Sequence, residues 1–269
     1  MTLAEAIEQL LGGAPLSREQ ARGVMDQIMA GEATPVQIAG VVIALRAKGE
    51  TVEEMAGFVD SMRAHATPLQ VPENTIDTCG TGGDRAGTFN ISTAAALVAA
   101  GAGIPVAKHG NRAASSRCGS ADVLEALGVD ITLGPEGVRR CIDASGAGFC
   151  FAPTFHPAMR YAGPARRELG VRTVFNVLGP LANPGRVQRQ ALGVGARGLA
   201  PLMVQVLKEL GHRRALVFYG EDGLDELTTT GPSRVFELKD GAVSEYELEP
   251  RDFGLQRAEA QDLRGGTPP

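Results

Sequence analysis

Between Asp77 and Gly128 the sequence gathers glycines, hydroxyls, amides and basic side chains into two loops. The first is Asp77-Thr-Cys-Gly-Thr-Gly-Gly-Asp84, running on to Asn90-Ile-Ser-Thr93. The second is Lys108-His-Gly-Asn-Arg112, running on to Ser115-Ser116 and Gly119-Ser120-Ala121-Asp122. Glycine bares backbone N–H groups, Ser, Thr and Asn add neutral donors, and Lys and Arg add positive charge; together these hold phosphate. Two strands and two helices must position them. Asn74 to Cys79 and Ile104 to Lys108 read as strands, Ser92 to Gly101 and Ser120 to Leu127 as helices, the second stopped by Gly128. Both loops thus fall on the strand-to-helix side, where helix N-termini favour anions. The glycine run is not a dinucleotide fingerprint, because Arg85 stands where the third glycine belongs, and no Gly-Lys-Ser/Thr makes it a P-loop.

A second chemical feature is Asp225-Glu226, in the loop Gly220-Glu-Asp-Gly-Leu-Asp-Glu after a strand expected at Arg214–Tyr219. An acidic loop alone reads as solvated, yet Mg²⁺ typically takes one or two carboxylates and completes its shell with water and phosphate oxygens. Arg166 and Arg167 are neighbours on an expected helix, and adjacent helical residues diverge by about 100°. One of them therefore faces away from any site. No triad-like arrangement is present. The four cysteines, at 79, 118, 141 and 150, form no Cys-x-x-Cys pair, which suits reduced thiols and a cytoplasmic protein.

Residues 1–66 read as a small helical bundle. Ser17-x-x-Gln20, Thr34-Pro-x-Gln37 and Thr51-x-x-Glu54 are capping boxes, and apolar residues recur between them at helical spacing. Two prolines in Ala66-Thr-Pro-Leu-Gln-Val-Pro-Glu-Asn74 mark a crossing into residues 74–269, where strands and helices alternate as in an α/β domain. Further strands are expected at Gly148–Ala152 and Gln190–Val194, helices at Pro135–Ala144, Pro157–Leu169 and Leu199–Leu210, and a hairpin about Lys239-Asp-Gly241. The formal net charge of −5, with Lys and Arg scattered, disfavours nucleic acid and anionic membrane as partners. The longest uncharged run, Ala86 to Ala107, is broken by Asn, Gly and Pro and cannot span a membrane.

Taken together, these residues resemble the anthranilate phosphoribosyltransferases. The likeness rests on Gly-Thr-Gly-Gly-Asp84, Asn-Ile-Ser-Thr93, Lys-His-Gly-Asn-Arg112 and the Gly119-Ser-Ala-Asp122 run. It continues through His156-Pro-Ala-Met-Arg160, the run from Arg167 to Pro184, and Asp225-Glu226. The resemblance implies a phosphoribosyltransferase of the nucleoside phosphorylase-like type, α/β with a small all-α N-terminal domain, that transfers phosphoribose from phosphoribosyl pyrophosphate to anthranilate in tryptophan biosynthesis. It implies phosphoribosyl pyrophosphate on Gly80, Gly83, Asp84, Thr88, Asn90, Ile91, Ser92 and Thr93. The second loop would add Lys108, His109, Gly110, Asn111, Arg112, Ala113, Ala114, Ser115, Ser116 and Ser120. Anthranilate would meet Gly80, Asn111 and Arg166, leaving Arg167 as the residue that faces away. Mg²⁺ would rest on Ser92, Asp225 and Glu226. The roles of His109 and His156, positioning or proton transfer, stay open.

The resemblance also implies a homodimer formed through the helical domain, with the helix near 157–169 packing on that domain. Family members continue into further helices, so the α/β domain is expected to be truncated at its C-terminus and to expose apolar surface within residues 74–220. Anthranilate's amine is uncharged at neutral pH, so positioning and charge stabilisation suffice and no catalytic base is assigned. Two rivals share features of the sequence. A pyrimidine nucleoside phosphorylase has a Lys-His-Gly loop, but Asn111-Arg112 and the Arg166 segment speak against it. A non-catalytic nucleic-acid-binding relative is disfavoured by the acidic balance and the intact Asp225-Glu226 pair.

Overall fold

The computed structural model describes residues 1–84, 86–113 and 118–266. Four helices come first: α1 (Leu3–Leu11), α2 (Arg18–Met29), α3 (Pro35–Lys48) and α4 (Val52–Ala64). Each opens on a complete capping box, including one at Thr2 and Glu5 that the sequence reading passed over. Such a cap contributes about 1 kcal/mol to its helix. Glu54 does more than cap. Its buried carboxylate also accepts from the Leu16 N–H at 2.9 Å and from Lys48 Nζ at 3.0 Å, which ties the ends of three helices together.

The chain then builds β1 (Ile76–Gly80), α5 (Ile91–Gly101), β2 (Val106–Gly110), α6 (Ser120–Ala126), α7 (Pro135–Ser145) and β3 (Ala147–Phe151). A short turn α8 (Ala152–Phe155), α9 (Gly163–Leu169) and a second short turn α10 (Phe175–Leu178) follow. The rest is β4 (Arg189–Gly193), α11 (Leu199–Glu209), β5 (Arg214–Gly220), β6 (Ser233–Lys239) and β7 (Ala242–Leu248). The strands form one sheet in the order β3-β2-β1-β4-β5-β6-β7; the first five are parallel and the last two add an antiparallel hairpin.

The helix expected over Pro157–Leu169 is broken. A 3₁₀ turn covers Pro157–Tyr161, and α9 starts afresh at Gly163, because Pro164 has no N–H to continue a ladder and disfavours helical backbone before it. This segment returns to the bundle. Ala162 and Ala165 are buried in the core that contains α1 to α4, α9 packs on α3, and the Tyr161 ring lies where a side chain on Gly31 would have to go. The same core continues through α11 onto one sheet face, at Cys79, Leu192 and Val217. Around α5 and α6, by contrast, Phe89, Leu97, Val98, Ile104, Leu127 and Val129 are exposed, Val98 by 73%. Residues 263–265 pair beside this region: Thr88 bridges Arg264, and the Phe89 N–H donates to Leu263 O at 3.0 Å. Among the described residues no helix is long and apolar enough to cross a membrane.

Candidate active site

β1 has β2 on one side and β4 on the other, so successive connections leave it in opposite directions. Such a switch point opens a crevice at the carboxyl ends of the strands. Here those ends are Gly80, Gly110, Gly193 and Gly220. Glycine is required where the 220–226 loop lies across them. A Cβ on Gly193 would sit 1.6 Å from Asp225 O, and one on Gly80 would sit 2.5 Å from Asp225 Oδ2. The Gly82 N–H donates to Asp225 Oδ2 at 2.7 Å, so the glycine loop and the acidic loop hold one another.

Ser92 reaches the same place from α5. Its backbone N–H lies near the Glu226 carboxylate and favours its charged form, and its Oγ accepts from Lys108 Nζ at 3.1 Å. Ser92, Asp225 and Glu226, far apart in sequence, are thereby brought together. Asp225 is buried rather than solvated as an isolated acidic loop would be, and Glu226 is partly buried. Burial, with Asp84 beside it, pushes the Asp225 carboxyl up to about 6. Burial and the Asp225 charge push Glu226 up to about 8, despite Lys108 nearby. Like charges held this close call for a cation. Among the described residues no group of three or more His, Cys, Asp or Glu is arranged to hold a metal unaided. The pair fits Mg²⁺, which takes few carboxylates and needs phosphate oxygens and water for the rest of its shell.

Lys108 lies in the middle of β2, and it is buried. Its ammonium donates to Thr78 O and Ser92 Oγ, and the nearby buried charge of Asp77 favours its protonated form. It supplies charge from beneath the site. Asp77 in turn accepts from the His109 N–H at 3.1 Å and from Asn183 Nδ2 at 2.8 Å. The sequence reading gave no role to Asp77 or Asn183. A carboxylate in the middle of a strand was the available signal.

The two loops are laced together. Asn90 Nδ2 donates to Cys118 O at 3.1 Å instead of capping α5, and Thr93 Oγ1, buried, donates to Ser120 Oγ at 3.0 Å. Ile91 opens α5, and Thr88 is engaged in its bridge to Arg264. Asp84 stands beside Asp225 and accepts from the Ala86 N–H at 3.3 Å. Arg112 is not a free cation: it pairs with Glu125 at 2.7 Å and Asp122 at 3.0 Å, while the Ala113 N–H donates to Asp122 at 2.9 Å. Of the expected phosphate residues, Ala114, Ser115 and Ser116 lie outside the described residues.

Gly80 also borders a second compartment. On the opposite sheet face is a cavity of about 460 Å³ lined by Met62, Cys79, His109, Asn111, His156, Arg166, Phe175 and Pro180 among others. Strand alternation explains why His109 belongs here and not with the phosphate residues: Lys108 points towards α5, so its neighbour points away. The Arg166 guanidinium lies 5.5 Å from the Phe175 ring centre, and burial alone lowers its basicity, with no carboxylate paired to it among the described residues. Arg167 is exposed. The His109 and His156 rings stand 5.0 Å apart; His109 Nδ1 meets Gly179 O at 3.1 Å, and the Nε2 atom of each ring is buried without a partner among the described residues. Met62 and Phe175 were missed as lining, since periodicity marks them only as apolar.

Burial, with His156 as a like neighbour, pushes His109 down to about 3; burial also pushes His156 to about 4 and His212 to about 3. All three are neutral in the folded state at pH 5, whereas an unfolded chain protonates them below about 6.5. At these rings the unfolded state then binds more protons, so their contribution to stability is full above pH 6.5 and falls as the pH falls. Each ring contributes up to about 1.4 kcal/mol per pH unit. Urea denaturation between pH 4.5 and 7 is expected to show His212→Gln losing less stability than the wild type as the pH falls.

Two domain families match the chain: the glycosyl transferase helical bundle over residues 4–66, and the glycosyl transferase α/β domain over residues 72–269. Fold and site thus define a glycosyl transferase with an N-terminal helical bundle and a C-terminal α/β domain. The anthranilate phosphoribosyltransferase of Herpetosiphon aurantiacus is 53% identical over 268 residues, covering 99% of this chain and 79% of the relative. The crystal structure of the Thermus thermophilus anthranilate phosphoribosyltransferase is 49% identical with a TM-score of 0.92, over 98% of this chain and 78% of that one. The Saccharomyces cerevisiae enzyme in complex with PRPP and Mg is 28% identical with a TM-score of 0.89, over 99% of this chain and 77% of that one. The chain belongs to the anthranilate phosphoribosyltransferase family.

Proposed function

We propose that the chain transfers the phosphoribosyl group of phosphoribosyl pyrophosphate to anthranilate, giving N-(5-phosphoribosyl)anthranilate and pyrophosphate in tryptophan biosynthesis. The observation that carries this is the meeting of two unlike compartments at Gly80. One is polar, rich in N–H groups and backed by Asp225 and Glu226. The other is apolar and contains an unpaired, desolvated arginine. A multiply charged sugar phosphate suits the first, and a flat aromatic amino acid with one carboxylate suits the second.

The donor's phosphates lie against the glycine loop, the start of α5 and the second loop, with Gly80, Gly83, Asn90 and Ser92 presenting donors. Ser92, Asp225 and Glu226 would hold Mg²⁺, which when bound supplies positive charge to the departing pyrophosphate. Lys108 adds charge from below and fixes Ser92 Oγ. Arg166 receives the acceptor carboxylate, and Gly80 and Asn111 border its amine, so nitrogen is aimed at C1 as positive charge develops on the ribose ring. Neutral His109 and His156 shape the pocket; they carry no proton to give near neutral pH.

The reading extends to a cytoplasmic homodimer acting on small molecules rather than on nucleic acid. Leu11 on α1, and Val36 and Ile43 about two helical turns apart on α3, are exposed large apolar residues on the bundle and suit a subunit contact. Val36→Glu with Ile43→Glu is expected to give a monomer by light scattering; an unchanged mass would place the contact elsewhere. The catalytic reading is tested by pyrophosphate release. It is expected with anthranilate and not with uracil, thymine or 4-aminobenzoate; the phosphorylase rival would instead release free base from uridine or thymidine on addition of inorganic phosphate, with no pyrophosphate formed.

A further inference from the structure

Arg172 stands in the turn between α9 and α10, outside every role assigned above, and its guanidinium covers the glycine loop. Nη1 donates to Gly82 O at 3.0 Å and Nη2 reaches Thr81 O at 3.4 Å. The fit leaves no room for a side chain, because a Cβ on Gly83 would fall 1.3 Å from Nη1 and 2.5 Å from the guanidinium carbon. No carboxylate among the described residues pairs with Arg172. Its own carbonyl accepts from Arg46 of α3, so a line of hydrogen bonds runs from the helical bundle through Arg172 to the loop.

The peptide geometry says what this contact does. Among the described residues no peptide bond is cis, and in a trans unit the C=O and N–H point to opposite sides. In the Thr81–Gly82 unit the carbonyl faces Arg172 and the N–H faces Asp225. In the Gly82–Gly83 unit the carbonyl again faces Arg172, so the Gly83 N–H is turned to the Asp225 side. That N–H has no acceptor among the described residues. Released from Arg172, either unit could swing a carbonyl oxygen into the anion site, where it would repel phosphate.

We propose that Arg172 is a positioning residue for the pyrophosphate of the donor: it holds the Thr81 and Gly82 carbonyls outward and thereby presents the Gly83 N–H to phosphate oxygen. This rests on reading the Gly80–Asp84 loop as the pyrophosphate site. Hydrogen bonds from a cation also polarise the peptide units and strengthen the outward N–H as a donor. Two carbonyls side by side need the guanidinium fork, which a lysine cannot reproduce.

The test combines steady-state kinetics with calorimetric binding of inorganic pyrophosphate in the presence of Mg²⁺, on the wild type, Arg172→Ala and Arg172→Lys. Arg172→Ala is expected to raise both the KM for phosphoribosyl pyrophosphate and the Kd for pyrophosphate by about tenfold or more, leaving the KM for anthranilate within about twofold. Arg172→Lys should fall between the two, and methylguanidinium should restore part of the alanine variant's pyrophosphate affinity. If the alanine variant fails to fold, the lysine variant decides alone, with a rise of about threefold or more in the donor constants for the proposal and wild-type values against it. Equal loss for donor and acceptor, or unchanged pyrophosphate binding, would overturn the role of Arg172. A wild type that binds no pyrophosphate would overturn the reading of the site along with it.

Discussion

Replacing Asp225 and Glu226 together by alanine is expected to lower Mg²⁺-dependent turnover by at least about a thousandfold. Removing a metal that stabilises developing charge costs several kcal/mol of transition-state energy. The fold should survive. In the metal-free protein Glu226 has its carboxyl raised to about 8, well above its ordinary value of 4.5. For an acid raised in this way the folded state binds the extra proton, so stability falls as the pH rises from about 4.5 to about 8. Deleting the two carboxylates removes that penalty. The melting temperature of the metal-free double variant at pH 8 is therefore expected within a few degrees of the wild type or above it, even though the Gly82 N–H loses its acceptor. Turnover that survives the double change with its Mg²⁺ dependence intact would show that the metal is held elsewhere.

Arg166→Ala is expected to raise the KM for anthranilate by about a hundredfold and to leave that for phosphoribosyl pyrophosphate within about twofold. A carboxylate meeting a desolvated guanidinium in an apolar cavity gains far more than it would in water, and about 2.7 kcal/mol corresponds to that factor. Arg167→Ala is the internal control. Its side chain is exposed, so both constants should stay near wild type. Titrating each substrate at saturating levels of the other separates the cases, and an equal rise in both constants for Arg166→Ala would remove it from the acceptor pocket.

Much of this arrangement is legible in the sequence because it depends on local chemistry. Capping boxes at Ser17, Thr34 and Thr51 start helices wherever they occur, so the bundle could be drawn from residue types and spacing. Strand–loop–helix alternation likewise placed the two polar loops at one end of a sheet. Failures came where tertiary contacts decide. β2 runs over Val106–Gly110 rather than ending at Lys108, so His109 joins the strand and points to the face opposite Lys108. Asn90 and Thr93 are the residue types that cap helices, yet the neighbouring loop claims their side chains. Arg112 reads as a free phosphate cation until the fold brings Glu125 and Asp122 within ion-pair distance. The break before α9 was written in Gly163-Pro164 and was passed over in favour of helical periodicity.

Arg172 belongs to the same class of omission. Nothing in its neighbours marks it, since its partners are carbonyl oxygens ninety residues away in the chain. Asp77 and Asn183 are similar, meeting across 106 residues to complete a buried polar cluster under the site. Sequence patterns report the face a residue takes within its own element. They say little about which distant backbone atom a long side chain will reach.

The central claim is that one crevice joins a phosphoribosyl donor to anthranilate. It is tested most directly by following the intrinsic fluorescence of anthranilate after adding phosphoribosyl pyrophosphate and Mg²⁺ to the purified chain. The account predicts decay to completion, with one pyrophosphate released per anthranilate consumed, and no decay when Mg²⁺ is chelated or the donor is omitted. Undiminished fluorescence under saturating donor and metal, from protein shown to be folded, would contradict it.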